Sequence, residues 1–79
     1  MELIPDEEFD TITESICKAI RFAEQGRFAA GYDCLLRGLK RTEEPPVNGR
    51  SYQQTLFVVW LTAVEEYSLC YGVPIGIRV

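Results

Sequence analysis

Apolar residues recur every three or four positions in the first third of the chain, and this spacing places them on one side of an α-helix. Pro5 suits a first helical turn, and the acidic residues 6–8 suit the positive end of the helix dipole. Gly26 ends the pattern, because glycine adopts the left-handed cap conformation easily. The pattern predicts a helix over residues 5–25. Its apolar stripe consists of Phe9, Ile12, Ile16, Ala19, Ile20 and Ala23.

A second stripe follows almost immediately and predicts a helix over residues 27–41. Gly31 and Gly38 lie inside this helix, where each glycine costs about 1 kcal/mol relative to alanine. We therefore expect a neighbouring helix to approach closely at both positions. A connecting loop over residues 42–50 follows, with a double proline and an Asn-Gly turn signal. The stripe consists of Phe28, Gly31, Tyr32, Leu35 and Leu39.

The third apolar segment is bounded by helix signals at both ends. Ser51 and Gln54 fit a capping box, in which serine is the N-cap and glutamine lies three residues later. Gly72 and Pro74 follow the segment in the order expected at a helix C-terminus. The pattern predicts a helix over residues 51–71. Its core stripe consists of Leu56, Val59, Trp60, Ala63, Tyr67 and Cys70.

The third helix carries more apolar surface than one buried stripe requires, because Phe57, Val58 and Leu61 extend around its circumference. A β-strand is the alternative for this run, but the cap and the length favour a helix. The prediction is an all-α fold, a three-helix antiparallel bundle in one domain spanning residues 1–79. The alternating apolar residues of the tail over 73–79 predict an extended segment.

Charge and composition argue against several classes of partner. The chain of 79 residues has 8 basic and 12 acidic side chains, for a net charge of -4. An acidic protein repels nucleic acids and anionic membranes, so we expect neither as a partner. No signal peptide or membrane-spanning run is evident, and we expect a cytoplasmic location. An acidic inhibitor of a basic site is a further alternative, supported only by the acidic residues early in the chain.

No motif for catalysis or metal binding is present. The chain contains no histidine, which is the commonest general base, and no GxSxG, P-loop or GxGxxG sequence. Cys17, Cys34 and Cys70 are far apart, and each falls in an apolar helical pattern. We interpret them as buried small hydrophobic residues in a reducing compartment, and we expect no metal or cofactor. Glu65 and Glu66 are interpreted as a solvated helix face, and the protein as non-enzymatic.

The first two helices resemble a known helical pair. Small and aromatic residues alternate at positions where a tight hairpin makes contact, and they are Ala19, Phe22, Gly26, Phe28, Gly31, Leu35 and Gly38. The pattern is similar to a tetratricopeptide-type unit and equally to the three-helix microtubule-interacting-and-trafficking domain. Leu35 replaces an aromatic residue of the tetratricopeptide pattern, and Ser15 and Lys18 occupy positions where larger apolar residues are expected. The closing proline of that pattern is displaced to Pro45. The likeness covers about 25 residues and one unit, whereas stable arrays need about three. The resemblance implies a groove between helices that takes a partner helix.

We therefore predict a small helical module that binds a partner protein through a groove between helices one and three, or through an apolar patch on helix three. The alternative is a structural homodimer in which helix three pairs with its symmetry mate and no other ligand is bound. The predicted partner-binding residues are Phe57, Trp60, Leu61 and Val64, with a basic rim of Arg37, Lys40 and Arg41.

Overall fold

Three α-helices make up the described part of the chain, which in this computed structural model comprises residues 4–43 and 52–73. Each helix begins and ends within two residues of its predicted bounds, and the all-α bundle is confirmed. The predicted tail beyond Val73 and most of the predicted loop lie outside the described residues. The helices are α1 at Asp6–Glu24, α2 at Phe28–Thr42 and α3 at Gln53–Tyr71.

A compact turn joins α1 to α2. The Gly26 N–H donates to the carbonyl of Ala23 at 2.9 Å, and the Arg27 N–H donates to the carbonyl of Phe22 at 2.8 Å. These two bonds form a Schellman motif, which requires the left-handed backbone of Gly26, with φ of 77°. The Arg27 guanidinium lies 4.8 Å from the centre of the Phe22 ring. The turn therefore ends α1 at the predicted glycine and starts α2 two residues later.

Helix α2 is the centre of the fold, because α1 and α3 each pack mainly on α2 and contact each other little. A Cβ atom on Gly31 would lie 2.7 Å from the Ala19 carbonyl oxygen of α1 and would overlap the Tyr67 hydroxyl of α3. A Cβ atom on Gly38 would lie 2.5 Å from Cε3 of Trp60. The close approach predicted at both glycines is confirmed at Gly31, where it involves both neighbouring helices. At Gly38 the side chain of Trp60, and not the backbone of α3, fills the space.

Hydrogen bonds at both ends hold α3 antiparallel to α2. The Tyr67 hydroxyl donates to the Phe28 carbonyl oxygen at 2.8 Å, which connects the end of α3 to the start of α2. The Gln53 side-chain amide donates to the Thr42 carbonyl oxygen at 2.9 Å, which connects the start of α3 to the end of α2. The bond from Gln53 satisfies a carbonyl group that the end of a helix leaves without a partner.

The two ends of α3 differ in how well the sequence predicts them. Gly72 adopts the left-handed conformation, with φ of 69°, and its N–H donates to the Ser68 carbonyl at 2.9 Å. This end is as predicted. The N-cap position is Tyr52, which makes no side-chain capping bond, and the predicted cap Ser51 lies outside the described residues.

The core uses only part of the apolar surface of α3. Val58 and Leu69 on this helix are 57% and 78% exposed. As predicted, α3 therefore has apolar side chains that the core does not bury, and they lie on its outer face. The buried hydrophobic residues are Ile4, Ile12, Ala19, Ala23, Tyr32, Leu35, Leu39, Leu56, Trp60, Val64 and Tyr67.

The prediction that all three cysteines are buried is wrong. Cys17 and Cys70 are exposed and Cys34 is partly buried. Cys17 follows Ile16 and is turned about 100° further around α1, toward solvent. In the described ranges, no three histidine, cysteine or carboxylate side chains cluster closely enough to hold a metal ion.

Candidate partner-binding groove

A groove of about 300 Å³ separates α1 from α3, and Leu35 of α2 forms its floor. Helices α1 and α3 both pack on α2 and make few contacts with each other, which leaves this space open between them. Its lining is almost entirely apolar or aromatic, with Glu66 as the one charged residue among those described. The lining consists of Ile16, Ala19, Ile20, Leu35, Ala63, Glu66, Tyr67, Cys70 and Tyr71.

The α1 side of the groove is formed by a second apolar stripe beside the buried one. Ala19 is fully buried, whereas Ile20 is turned about 100° further around the helix and is 39% exposed. Phe9 precedes Ile16 by seven residues, about two turns, and is therefore on the same side of α1. Phe9 is 49% exposed. Phe9 and Ile20 thus lie about 16 Å apart along one side of α1, with the exposed polar residue Thr13 between them.

An aromatic cluster lies at the end of the groove. The Tyr67 and Tyr71 rings are 4.8 Å apart between centroids, and the Phe28 and Tyr71 rings are stacked at 5.8 Å. Tyr67 and Tyr71 line the groove, while Phe28 is partly exposed at the start of α2. The cluster presents large, rigid apolar surface of the kind that dominates binding energy at protein interfaces.

Burial raises the pKa of Tyr67 above its ordinary value of 10.0, with smaller contributions from the neighbouring Tyr71 and Cys34. The neutral hydroxyl donates a hydrogen bond to Phe28, and a phenolate cannot donate it. The folded-state pKa exceeds the unfolded-state pKa. The neutral Tyr67 hydroxyl therefore contributes its full stabilisation at pH values below the pKa of the unfolded state. This stabilisation is lost as the pH rises through the pKa of the folded state.

Tyr67→Phe is therefore expected to lower the free energy of unfolding by about 1 kcal/mol at neutral pH, because one hydrogen bond is lost. It should also reduce the loss of stability above about pH 10. Urea denaturation at neutral and alkaline pH measures both effects. Tyr71→Phe keeps the bond to Phe28 and serves as the control. An unchanged pH dependence in Tyr67→Phe would contradict the assignment.

Two of the four predicted apolar contact residues are not on the surface. Trp60 is 3% exposed and Val64 is 0% exposed, so the prediction that they bind a partner is wrong. Both face α2, where the indole ring of Trp60 covers Gly38. Phe57 and Leu61 are partly buried. Leu61 lies about 160° around α3 from Ala63, on the side away from the groove.

The predicted basic rim is exposed, but the structure does not bring it to the groove. Arg37, Lys40 and Arg41 are all exposed on α2. Each lies about 120° or more around α2 from Leu35, the floor residue. None of the three lines the groove. These bases therefore occupy the far side of the molecule.

The residues that do line the groove left a weak signal in the sequence. Ile16 and Ile20 widen the apolar stripe of α1 beyond what the buried residues need, which is typical of a helix with two apolar contacts. The core stripe predicted for α3 includes Ala63 and Cys70, but both residues lie at the edge of the buried face. Periodicity alone does not separate an edge residue from a core residue.

Comparison with protein-family models, with curated proteins and with solved structures finds no match to this chain. None of the three helices in the described part has the length and apolar content that crossing a membrane requires.

Proposed function

We propose that this chain is a non-enzymatic protein–protein interaction module that binds an amphipathic helix of a partner in the groove between α1 and α3. The observation that carries the proposal is the open groove itself, whose described lining includes only one charged residue, Glu66. Ile20 in the lining is exposed, and exposed Phe9 lies further along the same side of α1. Exposed apolar surface of this kind is typical of an interaction site.

A helical occupant fits the groove best. The space runs between two α-helices that both pack on α2, so a further helix would pack its side chains between theirs as helices do in bundles. Its apolar residues at three- and four-residue spacing would contact Ile16 and Ile20 on one side and Ala63 on the other. The resemblance to tetratricopeptide and trafficking-domain helices supports the same mode of binding.

The proposal is tested by selecting helical peptides against the wild-type chain and measuring their affinity for groove variants. Ile20→Glu is expected to weaken binding about tenfold or more, because it places a carboxylate against the apolar face of the peptide. Ile20 is partly exposed, so the variant should fold. Val58→Glu is the matched control, because Val58 lies on the outer face of α3. Unchanged affinity in Ile20→Glu, measured by fluorescence anisotropy, would contradict the proposal.

A structural homodimer is the second candidate, and exposed residues of α3 favour it. Val58 and Leu69 are separated by 11 positions, about three turns, so they share one face of the helix. In an antiparallel pair of α3 helices, Val58 of one copy would contact Leu69 of the other. Leu69→Glu would then abolish the dimer without loss of helicity. A wild-type chain that sediments as a monomer across about a hundredfold dilution would exclude this candidate.

A further inference from the structure

The geometry points to a partner helix that is basic, with lysine or arginine residues flanking the apolar stripe that enters the groove. This inference rests on the proposed function and adds the chemistry of the partner. It is based on the separation of charge between the two sides of the molecule. Carboxylates lie beside the groove, and the bases of the described residues lie elsewhere.

The α3 side of the groove is acidic. Among the described residues that line the groove, Glu66 is the only charged one, and it is exposed. Helix α3 contains no lysine or arginine along its whole length of 19 residues. A cation from a bound helix would therefore meet a carboxylate and no base along this side.

The α1 side is acidic in the same way. Glu24 lies four residues after Ile20, so it is about one turn further along α1 and about 40° from it around the helix. Its carboxylate is exposed. The two bases of α1, Lys18 and Arg21, instead line a separate depression, whose described lining residues all belong to α1. Glu24 is thus an exposed carboxylate beside the α1 side of the groove.

None of the remaining described bases lines the groove. Arg27 stacks on Phe22, which lies on the side of α1 away from Ile20. The three bases of α2 occupy the far side of that helix, as described above. A partner helix in the groove would therefore face an apolar centre with Glu66 on one side and Glu24 on the other, and basic residues would complement both carboxylates.

A second copy of this chain fits the groove less well. A two-fold axis that pairs the grooves of two copies would bring the carboxylates of Glu66 and Glu24 in one copy near those of the other. Like charges at an interface disfavour such a pairing. The basic side of α2 offers charge but little apolar surface, because Asp33, Arg37 and Lys40 are exposed there. A different protein with a basic amphipathic helix satisfies both requirements.

The test uses three synthetic helical peptides of about 14 residues with the same leucine stripe, flanked by lysine, glutamine or glutamate. The lysine peptide is expected to bind at least about tenfold more tightly than the glutamate peptide, and its affinity should fall as salt is added. Equal binding of all three peptides would overturn the inference and leave the groove function intact. No binding by any peptide would overturn both. Equal binding of a scrambled lysine peptide that lacks the stripe would also overturn the inference.

Two adjacent carboxylates of α3 provide a matched pair of variants. Glu66→Lys changes a groove residue, whereas Glu65→Lys makes the same change of charge at an exposed residue outside the lining. Glu66→Lys is expected to lower the affinity for the lysine peptide about fivefold and to raise the affinity for the glutamate peptide. Glu65→Lys is expected to change both affinities less. If the two variants lower the affinity for the lysine peptide equally, the overall charge of the protein explains the binding and the inference is wrong.

Discussion

Trp60→Ala is expected to remove about 3–5 kcal/mol from the free energy of unfolding, because it deletes a large buried side chain and leaves a cavity. Trp60 is nine-tenths or more buried and packs its indole ring on Gly38 of α2. A domain of this size has a total stability of only about 4–12 kcal/mol, so the variant should lose a large part of its stability. Urea denaturation followed by circular dichroism measures the change.

The control is Val58→Ala on the same helix, which should change the stability by less than about 1 kcal/mol because Val58 is exposed. Gly38→Ala provides a second check, since it should destabilise the wild type by crowding the indole ring. In the Trp60→Ala background, the same change should stabilise by up to about 1 kcal/mol through helix propensity. A Trp60→Ala chain that keeps its stability but loses partner binding would place Trp60 on a surface.

The order and bounds of the helices could be predicted because the sequence marks their ends with strong local signals. Pro5 immediately precedes α1 at the N-cap position, and Gly26 and Gly72 adopt the left-handed conformation that ends α1 and α3. These effects depend on the backbone of one or two residues and need no knowledge of the tertiary structure. The glycine pair in α2 likewise predicted where other helices approach.

The buried face of α3 could be predicted only in part. Leu56, Trp60 and Tyr67 of the predicted core stripe are buried. Cys70 of that stripe is exposed, whereas Val64, which the stripe does not include, is buried. Packing against α2 determines which residues of α3 are buried, because the space beside Gly38 accepts the indole ring of Trp60. Periodicity identifies a buried face only when the opposite face is polar.

The groove was predicted in outline and its residues were not. Its existence follows from three helices of which two pack mainly on the third, but its lining depends on how far α1 and α3 diverge. That distance is set at Gly31, where a backbone carbonyl of α1 and the Tyr67 side chain of α3 meet. A one-dimensional pattern contains no such distance, so Ile20 and Glu66 were not predicted as groove residues.

Gly31→Ala is expected to destabilise the protein by about 1–3 kcal/mol, even though alanine is the better helix former by about 1 kcal/mol. The new methyl group would lie 2.7 Å from the Ala19 carbonyl oxygen and 2.9 Å from Cζ of Tyr67. A backbone carbonyl cannot rotate away as a side chain can, so α1 must move. Chemical denaturation measures the loss. Ala29→Gly, at an exposed position of α2, measures the helix-propensity effect alone.

The same variant connects stability to binding, because Ala19 and Tyr67 line the groove directly above Gly31. Moving α1 away from α2 would change the width of the groove, so Gly31→Ala should also weaken peptide binding under conditions where it remains folded. Adding Tyr67→Phe removes the overlap with the hydroxyl and leaves the contact with the Ala19 carbonyl, and should restore only part of the stability. If Gly31→Ala instead stabilises the chain, as helix propensity alone predicts, then α1 and α2 are not in close contact at this position.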